Sequence, residues 1–262
     1  MTFNSSLGVL SRASTDGVLP RVGRAPEGVW RELVQQVAGS VAESHPENLV
    51  TILLRGSAAR GTAMLGVSDL DFVIVTAHEI ERKRPLIEVN HDVKVELGYV
   101  THTDLMASPK YDWLRFSLAY CAWDVCEGDY LSKLDEPVLS PIAAGTLLSS
   151  KKWLAQFFEL SSHETTRLQQ IEIRNWIIKR TIRSLAEPIF LQNNLYSRDL
   201  APCINIVEAS DPNMTSLLET LTSALFNKNF DFAELVGILE DHEHHLHDRR
   251  RSLRYRLDKT ND

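Results

Sequence analysis

Residues 49–75 decide the fold, and they read LVTILLRGSAARGTAMLGVSDLDFVIV. The segment begins with a nearly continuous apolar run over residues 49–54, which predicts a strand buried on both faces of a sheet. A turn at Gly56-Ser57 and a stretch of small, partly helical residues follow. Residues 70–75 then predict a second buried strand, so a tight turn and one short helix join two strands of a sheet.

Two aspartates, Asp69 and Asp71, stand at the head of the second predicted strand. Side chains two residues apart on a strand share a face, so these two carboxylates are expected to lie side by side. Carboxylates held that close repel each other unless a cation lies between them. Mg²⁺ prefers oxygen ligands and is commonly held by one or two carboxylates together with substrate phosphates, so the pair is a candidate magnesium site.

The Gly56-Ser57 turn is a candidate phosphate site. Gly56 has no side chain and allows the backbone to come close to a phosphate, while the Ser57 hydroxyl can donate a hydrogen bond. A short helix after the turn would direct its free N–H groups and its positive dipole end toward the same anion.

Glu96 is the third candidate ligand. It lies in a predicted strand region, residues 86–100, that is expected to turn back near residues 90–92. Alternation places two sets of side chains on opposite faces, Val93, Val95, Leu97 and Tyr99 on one and Lys94, Glu96 and Gly98 on the other. A glutamate among core residues is costly to bury unless it is paired or bound to metal. If this strand neighbours the aspartate strand, three carboxylates converge, which suffices for two Mg²⁺ ions in an in-line phosphoryl displacement.

Working outward, helical periodicity predicts a helix over residues 26–44, before the first strand. After residue 103 the pattern becomes helical throughout, with predicted helices at 103–108, 111–121, 145–160, 164–187, 197–209, 213–226 and 231–256. The predicted fold is therefore an α/β (α+β) domain with a mixed sheet, followed by an α-helical C-terminal domain. The expected divisions are a flexible tail over 1–25, the α/β domain over 26–127 and the helical domain over 128–262.

Composition limits the classes of partner. The formal net charge of −7 argues mildly against nucleic acid, which is bound through clustered Lys and Arg, and fits a small cationic substrate better. Many soluble proteins carry such a charge for solubility alone. Three cysteines without a CxxC pair make a disulfide framework or a zinc site unlikely and favour a reducing cytoplasm. No apolar run approaches the roughly 20 residues that a membrane span needs, so no membrane association is expected.

An Asp-x-Asp pair alone is frequent by chance, and a Gly-Ser turn alone does not indicate any function. Their combination, in the order strand, Gly-Ser, helix, Asp-x-Asp, strand and a later strand acid, is specific. It resembles the signature of the DNA polymerase β-like nucleotidyltransferase superfamily and, within it, looks most like the kanamycin-type aminoglycoside nucleotidyltransferases. The residues that carry the resemblance are Gly56-Ser57, Ser68-Asp69-Leu70-Asp71, Lys94-Val95-Glu96-Leu97, Arg60 and the helical stretch 185–210 with its Tyr196-Ser197.

The resemblance implies transfer of a nucleoside monophosphate from a nucleoside triphosphate such as ATP to a hydroxyl, with release of pyrophosphate. Mg²⁺ would be held by Asp69, Asp71 and Glu96, and the triphosphate by Gly56, Ser57, Arg60 and Ser68. The nearest positional match to that group's general base is Glu159, with Glu164 and Glu172 as competing candidates.

By resemblance the first expected acceptor is an aminoglycoside-like amino sugar, and a homodimer is expected. Two alternatives stay open from the sequence. The acceptor could instead be a protein side chain, as in nucleotidyltransferases paired with toxins, or an RNA end. The chain could also be a nucleotide-binding module that keeps the fold without chemistry.

Overall fold

The computed structural model describes residues 8–65, 67–80, 93–163, 165–227 and 230–260, with side chains up to residue 252. The chain divides into two compact units. We call Arg12–Val138 the sheet unit, and Met1–Ser11 with Leu139–Asp262 the helical unit. The predicted turn near residues 90–92 and the candidate base Glu164 lie outside the described residues.

The described elements up to residue 138 include the predicted strands and helices in the expected order. The strands are β1 (Ser11–Arg12), β2 (Leu49–Arg55), β3 (Leu70–Thr76), β4 (Val95–Thr101) and β5 (Trp123–Asp124), of which the two short strands β1 and β5 were not predicted. The helices are α1 (Val29–Ser44), α2 (Gly56–Arg60), α3 (His102–Ala107) and α4 (Asp112–Cys121). Helix α1 begins three residues later than predicted because Gly28, with φ of 55°, is not helical.

In the described part of the sheet unit, the main sheet has four strands in the order β4-β3-β2-β5. Strand β2 runs antiparallel to both β3 and β5, whereas β3 and β4 are parallel. The prediction of an α/β fold with a mixed sheet is therefore confirmed.

Side chains of the central strands alternate between two cores, one on each face of the sheet. Leu54 packs in the core beneath α1, together with Val37 of that helix. Leu53 packs in the opposite core with Leu118 of α4. All four side chains are fully buried, and burial of each such side chain stabilises the fold by about 1.5–3 kcal/mol. The predicted burial of the first strand on both faces is confirmed.

The helical unit contains the short strand β6 (Leu195–Tyr196) and the helices α5 (Gly145–Leu148), α6 (Ser150–Ser161), α7 (Arg167–Gln192), α8 (Leu200–Ser210), α9 (Thr215–Phe226) and α10 (Phe232–Thr260). The single helix predicted over 145–160 is interrupted at Ser149. The Ser149 hydroxyl donates to the Gly145 carbonyl at 2.6 Å and so satisfies an acceptor of the first helix at the point where it ends.

Helix α7 is the centre of the helical unit, because α5, α6, α8, α9 and α10 all pack against it. It begins at a capping box, in which Thr166 N donates to Gln169 Oε1 at 2.9 Å and Gln169 N donates to Thr166 Oγ1 at 3.3 Å. Its predicted end at residue 187 is wrong, since the helix continues through Pro188 to Gln192. Packing against five neighbours outweighs the local cost of the proline.

Glu187 is a buried acid within α7, with 2% of its surface exposed. It accepts hydrogen bonds from the Thr146 N–H at 3.3 Å and the Leu147 N–H at 2.8 Å, both in α5. Arg198 Nη1 lies 3.4 Å from the same carboxylate. Burial raises the pKa of Glu187 above its ordinary range, although Arg198 and the hydrogen bonds act in the opposite direction.

The chain before α1 differs from the predicted tail. Leu19 is buried, Val22 N donates to Tyr120 O at 2.7 Å, and Arg24 N donates to Ala59 O at 2.8 Å. The compact units divide after Ser11 and after Val138, whereas the sequence predicted divisions after residues 25 and 127. Among the described helices, none combines the length and the apolar character needed to cross a membrane.

Candidate metal and nucleotide site

The turn after β2 brings the backbone against a carboxylate. Gly56 has φ of +82°, and a Cβ atom built on it would lie 2.8 Å from Asp71 Oδ2. The positive φ therefore favours glycine at this position, and a Cβ there would displace the Asp71 carboxylate. Helix α2 starts there and ends at Gly61, which is in the left-handed region with φ of 70°.

Three charged residues form one row across three strands. Arg55 of β2 is the direct partner of Asp71 on β3, and Asp71 is the direct partner of Glu96 on β4. Asp69 lies two residues before Asp71 on the same face, as strand alternation predicted. The row depends on the predicted adjacency of the second and third strands, which the parallel β3–β4 pairing confirms.

The structure brings Asp69, Asp71 and Glu96 together. One carboxylate oxygen from each residue lies within 4.8 Å of those of the other two. Among the described residues, this is the one group of three or more His, Cys, Asp or Glu side chains close enough to hold a metal ion. We call it the acidic cluster.

The acidic cluster fits a hard divalent cation, because it offers carboxylate oxygens and neither sulfur nor imidazole. The two aspartates are partly buried, so their mutual repulsion is less well screened than at the surface. One premise of the sequence argument is wrong, since the Glu96 side chain is 48% exposed and does not lie in the core. Its proximity to the two aspartates, and not its burial, makes it a candidate ligand.

Two basic side chains border the acidic cluster. Arg55 Nη2 lies 4.0 Å from Asp71 Oδ1, and its guanidinium carbon lies 6.0 Å from the ring centre of Trp113. Lys94 Nζ lies 3.0 Å from Glu96 Oε1. The sequence interpretation did not assign either cation to the site. A signal was present for Lys94, because alternation already placed it on the face of Glu96.

The predicted triphosphate residues occupy different environments. The Ser57 side chain is partly exposed, and its carbonyl accepts the Thr62 N–H at 2.9 Å near the end of α2. The Ser68 hydroxyl accepts the Met64 N–H at 3.0 Å and so closes the loop before Asp69. Arg60 is 3% exposed, and its Nη1 lies 3.8 Å from Cys121 Sγ. Phosphate binding by these residues stays a prediction.

The candidate general bases lie in the helical unit. Glu159 is an exposed residue of α6, and Glu172 is an exposed residue of α7. The assignment of Glu159 as the base stays a prediction.

Comparison with known proteins agrees with the fold and with the motif. Residues 34–116 match the family model described as "Nucleotidyltransferase domain". This range contains the Gly56 turn and all three residues of the acidic cluster. No curated protein matches the sequence.

The chain is also similar in fold to a spectinomycin adenyltransferase from Enterococcus faecialis, whose crystal structure was determined with ATP and spectinomycin. The TM-score is 0.56 at 14% sequence identity, and the match covers 84% of this chain and 98% of that one. A likeness at this identity shows a common fold. Residues 34–116 are therefore similar to a nucleotidyltransferase domain, which supports nucleotidyl transfer and agrees with the resemblance of the motif to the DNA polymerase β-like superfamily.

Proposed function

We propose that the protein is a Mg²⁺-dependent nucleotidyltransferase that transfers a nucleoside monophosphate from a nucleoside triphosphate to a hydroxyl of a small amino-sugar acceptor. The observation that carries the proposal is the acidic cluster, whose oxygens lie within 4.8 Å of one another. It stands directly behind the Gly56 turn, inside the range that matches the nucleotidyltransferase domain.

In this proposal Asp69, Asp71 and Glu96 hold the Mg²⁺ ions. Bound Mg²⁺ would supply positive charge that neutralises the triphosphate and the leaving pyrophosphate. Gly56 and Ser57 present backbone and hydroxyl donors to the phosphates, with Ser68 and Arg60 as further proposed contacts. Two ions are the expected number for a cluster of three carboxylates.

The proposed reaction is an in-line displacement. The acceptor oxygen forms a bond to the α-phosphorus, and the bond from that phosphorus to the β-phosphate bridging oxygen breaks. Pyrophosphate leaves with the electron pair. The acceptor proton passes to a carboxylate, which we propose is Glu159 because it is the nearest positional match to the general base of the kanamycin-type group.

Two observations favour a cationic small acceptor. The structural neighbour was crystallised with spectinomycin and ATP, and the present chain carries a net charge of −7. An acidic protein attracts a cationic amino sugar and repels an RNA backbone. Modification of such a compound would confer antibiotic resistance.

The test is a nucleotidyl-transfer assay with Mg²⁺, labelled ATP or GTP and a panel of aminoglycosides, in which pyrophosphate release is measured. Chelation of the metal is expected to abolish product. The Asp71→Asn variant is expected to lower kcat/KM by at least about 100-fold, since loss of residues that merely support metal ligands already costs about 10–100-fold. The matched control is Asp135→Asn, an exposed aspartate of the same unit, which should stay within about twofold of wild type.

Two outcomes would contradict the proposal. If neither triphosphate bound in a Mg²⁺-dependent manner and no acceptor was modified, the chemistry would be wrong. If Asp71→Asn retained full activity, the metal assignment would be wrong. Labelling of a protein in place of the aminoglycosides would redirect the acceptor to a side chain.

The remaining expectations belong to the same proposal. The three cysteines are free, with Cys121 and Cys203 buried. A cytoplasmic location is part of the proposal. A homodimer is proposed from the family resemblance.

A further inference from the structure

Lys94 lies in direct contact with the acidic cluster. Its Nζ lies 3.0 Å from Glu96 Oε1, compared with 4.0 Å between Arg55 and Asp71. The backbone fixes this position, because Leu70 N donates to Lys94 O at 2.9 Å where β3 and β4 begin. The ammonium group therefore stands beside one of the three proposed metal ligands.

We propose that Lys94 is a positioning residue that competes with the divalent cation for Glu96 and thereby sets the metal affinity of the acidic cluster. The inference rests on the proposed function, since it assigns a role to the same site. An ammonium and a metal ion both seek the lone pairs of one carboxylate. The contact between Lys94 and Glu96 weakens when that carboxylate becomes a ligand, because the ammonium and the metal ion repel each other.

The contact between Lys94 and Glu96 can be broken at little energetic cost. The side chains of Lys94 and Glu96 are 49% and 48% exposed, so water screens the attraction and an exchange of partners is inexpensive. The lysine chain is long and flexible, and its charge can remain solvated after it turns away. Arg55 differs, because its guanidinium lies over Trp113 and its side chain is only 28% exposed.

The two cations therefore have different effects. Arg55 supplies a fixed positive charge near Asp71, whereas Lys94 supplies a movable one at Glu96. A divalent ion can meet Asp69 and Asp71 first and gain Glu96 when Lys94 turns aside. Removal of the Lys94 charge should consequently tighten metal binding, which damage to the fold would not do.

The experiment is Mn²⁺ binding to the full chain, measured by electron paramagnetic resonance with Mn²⁺ as the probe. Lys94→Met is expected to bind Mn²⁺ more tightly by on the order of fivefold at low salt, from the loss of one charge a few ångströms away. Lys94→Arg should remain near wild type. The gain should shrink at high salt, because the Debye length falls from about 10 Å at 0.1 M to about 3 Å at 1 M.

Lys133→Met is the matched control. Its ammonium lies over the ring of Tyr130, near β5, at the sheet edge opposite β4. If Lys94→Met bound Mn²⁺ no better than wild type, or Lys133→Met gained as much, the inference would be overturned. Absence of Mn²⁺ binding in the wild type would instead overturn the proposed function on which it rests. Circular dichroism checks that each variant is folded.

Discussion

At the scale of single residues, Gly56 is the point where the backbone of the turn comes closest to Asp71 of the acidic cluster. Gly56→Ala places a Cβ 2.8 Å from Asp71 Oδ2 on a residue with φ of +82°. We expect the free energy of unfolding to fall by about 1–2 kcal/mol, the cost of the left-handed conformation. We also expect Mn²⁺ affinity to fall by about tenfold or more, because Asp71 must move. Urea unfolding and Mn²⁺ titration measure the two effects.

Gly39 offers the control for that substitution. It lies within α1, and a Cβ built there meets no atom within 4 Å. Gly39→Ala should raise the free energy of unfolding by roughly 0.5–1 kcal/mol and leave Mn²⁺ binding unchanged. Wild-type Mn²⁺ affinity in Gly56→Ala would refute the role given to the contact with Asp71.

Single residues also show which features of the site alternation along a strand can predict and which it cannot. Alternation correctly placed Glu96 and Lys94 on one face of β4, because side-chain direction in a strand follows from residue number alone. It could not predict the 3.0 Å contact between them, which depends on side-chain rotamers. Nor could it predict that Arg55 faces Asp71, since cross-strand register depends on the turn between the strands.

At the scale of elements, Glu187 joins α7 to α5. Glu187→Ala would leave two backbone N–H groups without their acceptor and would remove the buried carboxylate that Arg198 contacts. We expect the free energy of unfolding to fall by about 3–5 kcal/mol, as when one partner of a buried pair is removed. Thermal and urea unfolding provide the measurement.

Glu219→Ala is the comparison, because this glutamate is an exposed residue of α9 in the same unit. It should change the free energy of unfolding by no more than about 0.5 kcal/mol. Equal losses in the two variants would show that Glu187 contributes no more than a surface acid.

Strands with a long apolar run were predicted well, and the two-residue strands were not. Strand β2 was evident from its apolar run, whereas β5 has two residues, Trp123 and Asp124, too few to show a period. Its position depends on a distant contact, in which the Thr51 hydroxyl donates to Asp124 Oδ1 at 2.7 Å. Such a contact links residues far apart in the sequence and leaves no local signal.

At the scale of the whole molecule, the net charge of −7 has a kinetic consequence for the proposed acceptor. The KM for a cationic aminoglycoside, measured at saturating ATP, should rise as salt is increased from 0.05 to about 0.5 M, because screening weakens long-range attraction. A neutral acceptor assayed in parallel should show no such rise. A salt-independent KM for both acceptors would remove charge attraction as the basis for acceptor preference.

The order of the chain, with strands first and helices afterwards, was visible in the sequence and gave the correct fold class. The limits of the compact units were not, since they depend on packing. Residues 12–25 read as a loose polar segment, yet Leu19 is buried and Val22 is hydrogen-bonded to Tyr120.

The row formed by Arg55, Asp71 and Glu96 also has a practical consequence for the quality of a preparation. A slip of one residue between β3 and a neighbouring strand would turn the side chains of one strand to the opposite face. Arg55, Asp71 and Glu96 would then no longer share one face of the sheet. Such molecules would retain their secondary structure but would be inactive, because the acidic cluster would not form. Active-site titration would therefore report the fraction of molecules with correctly aligned strands, which spectroscopy of secondary structure would overlook.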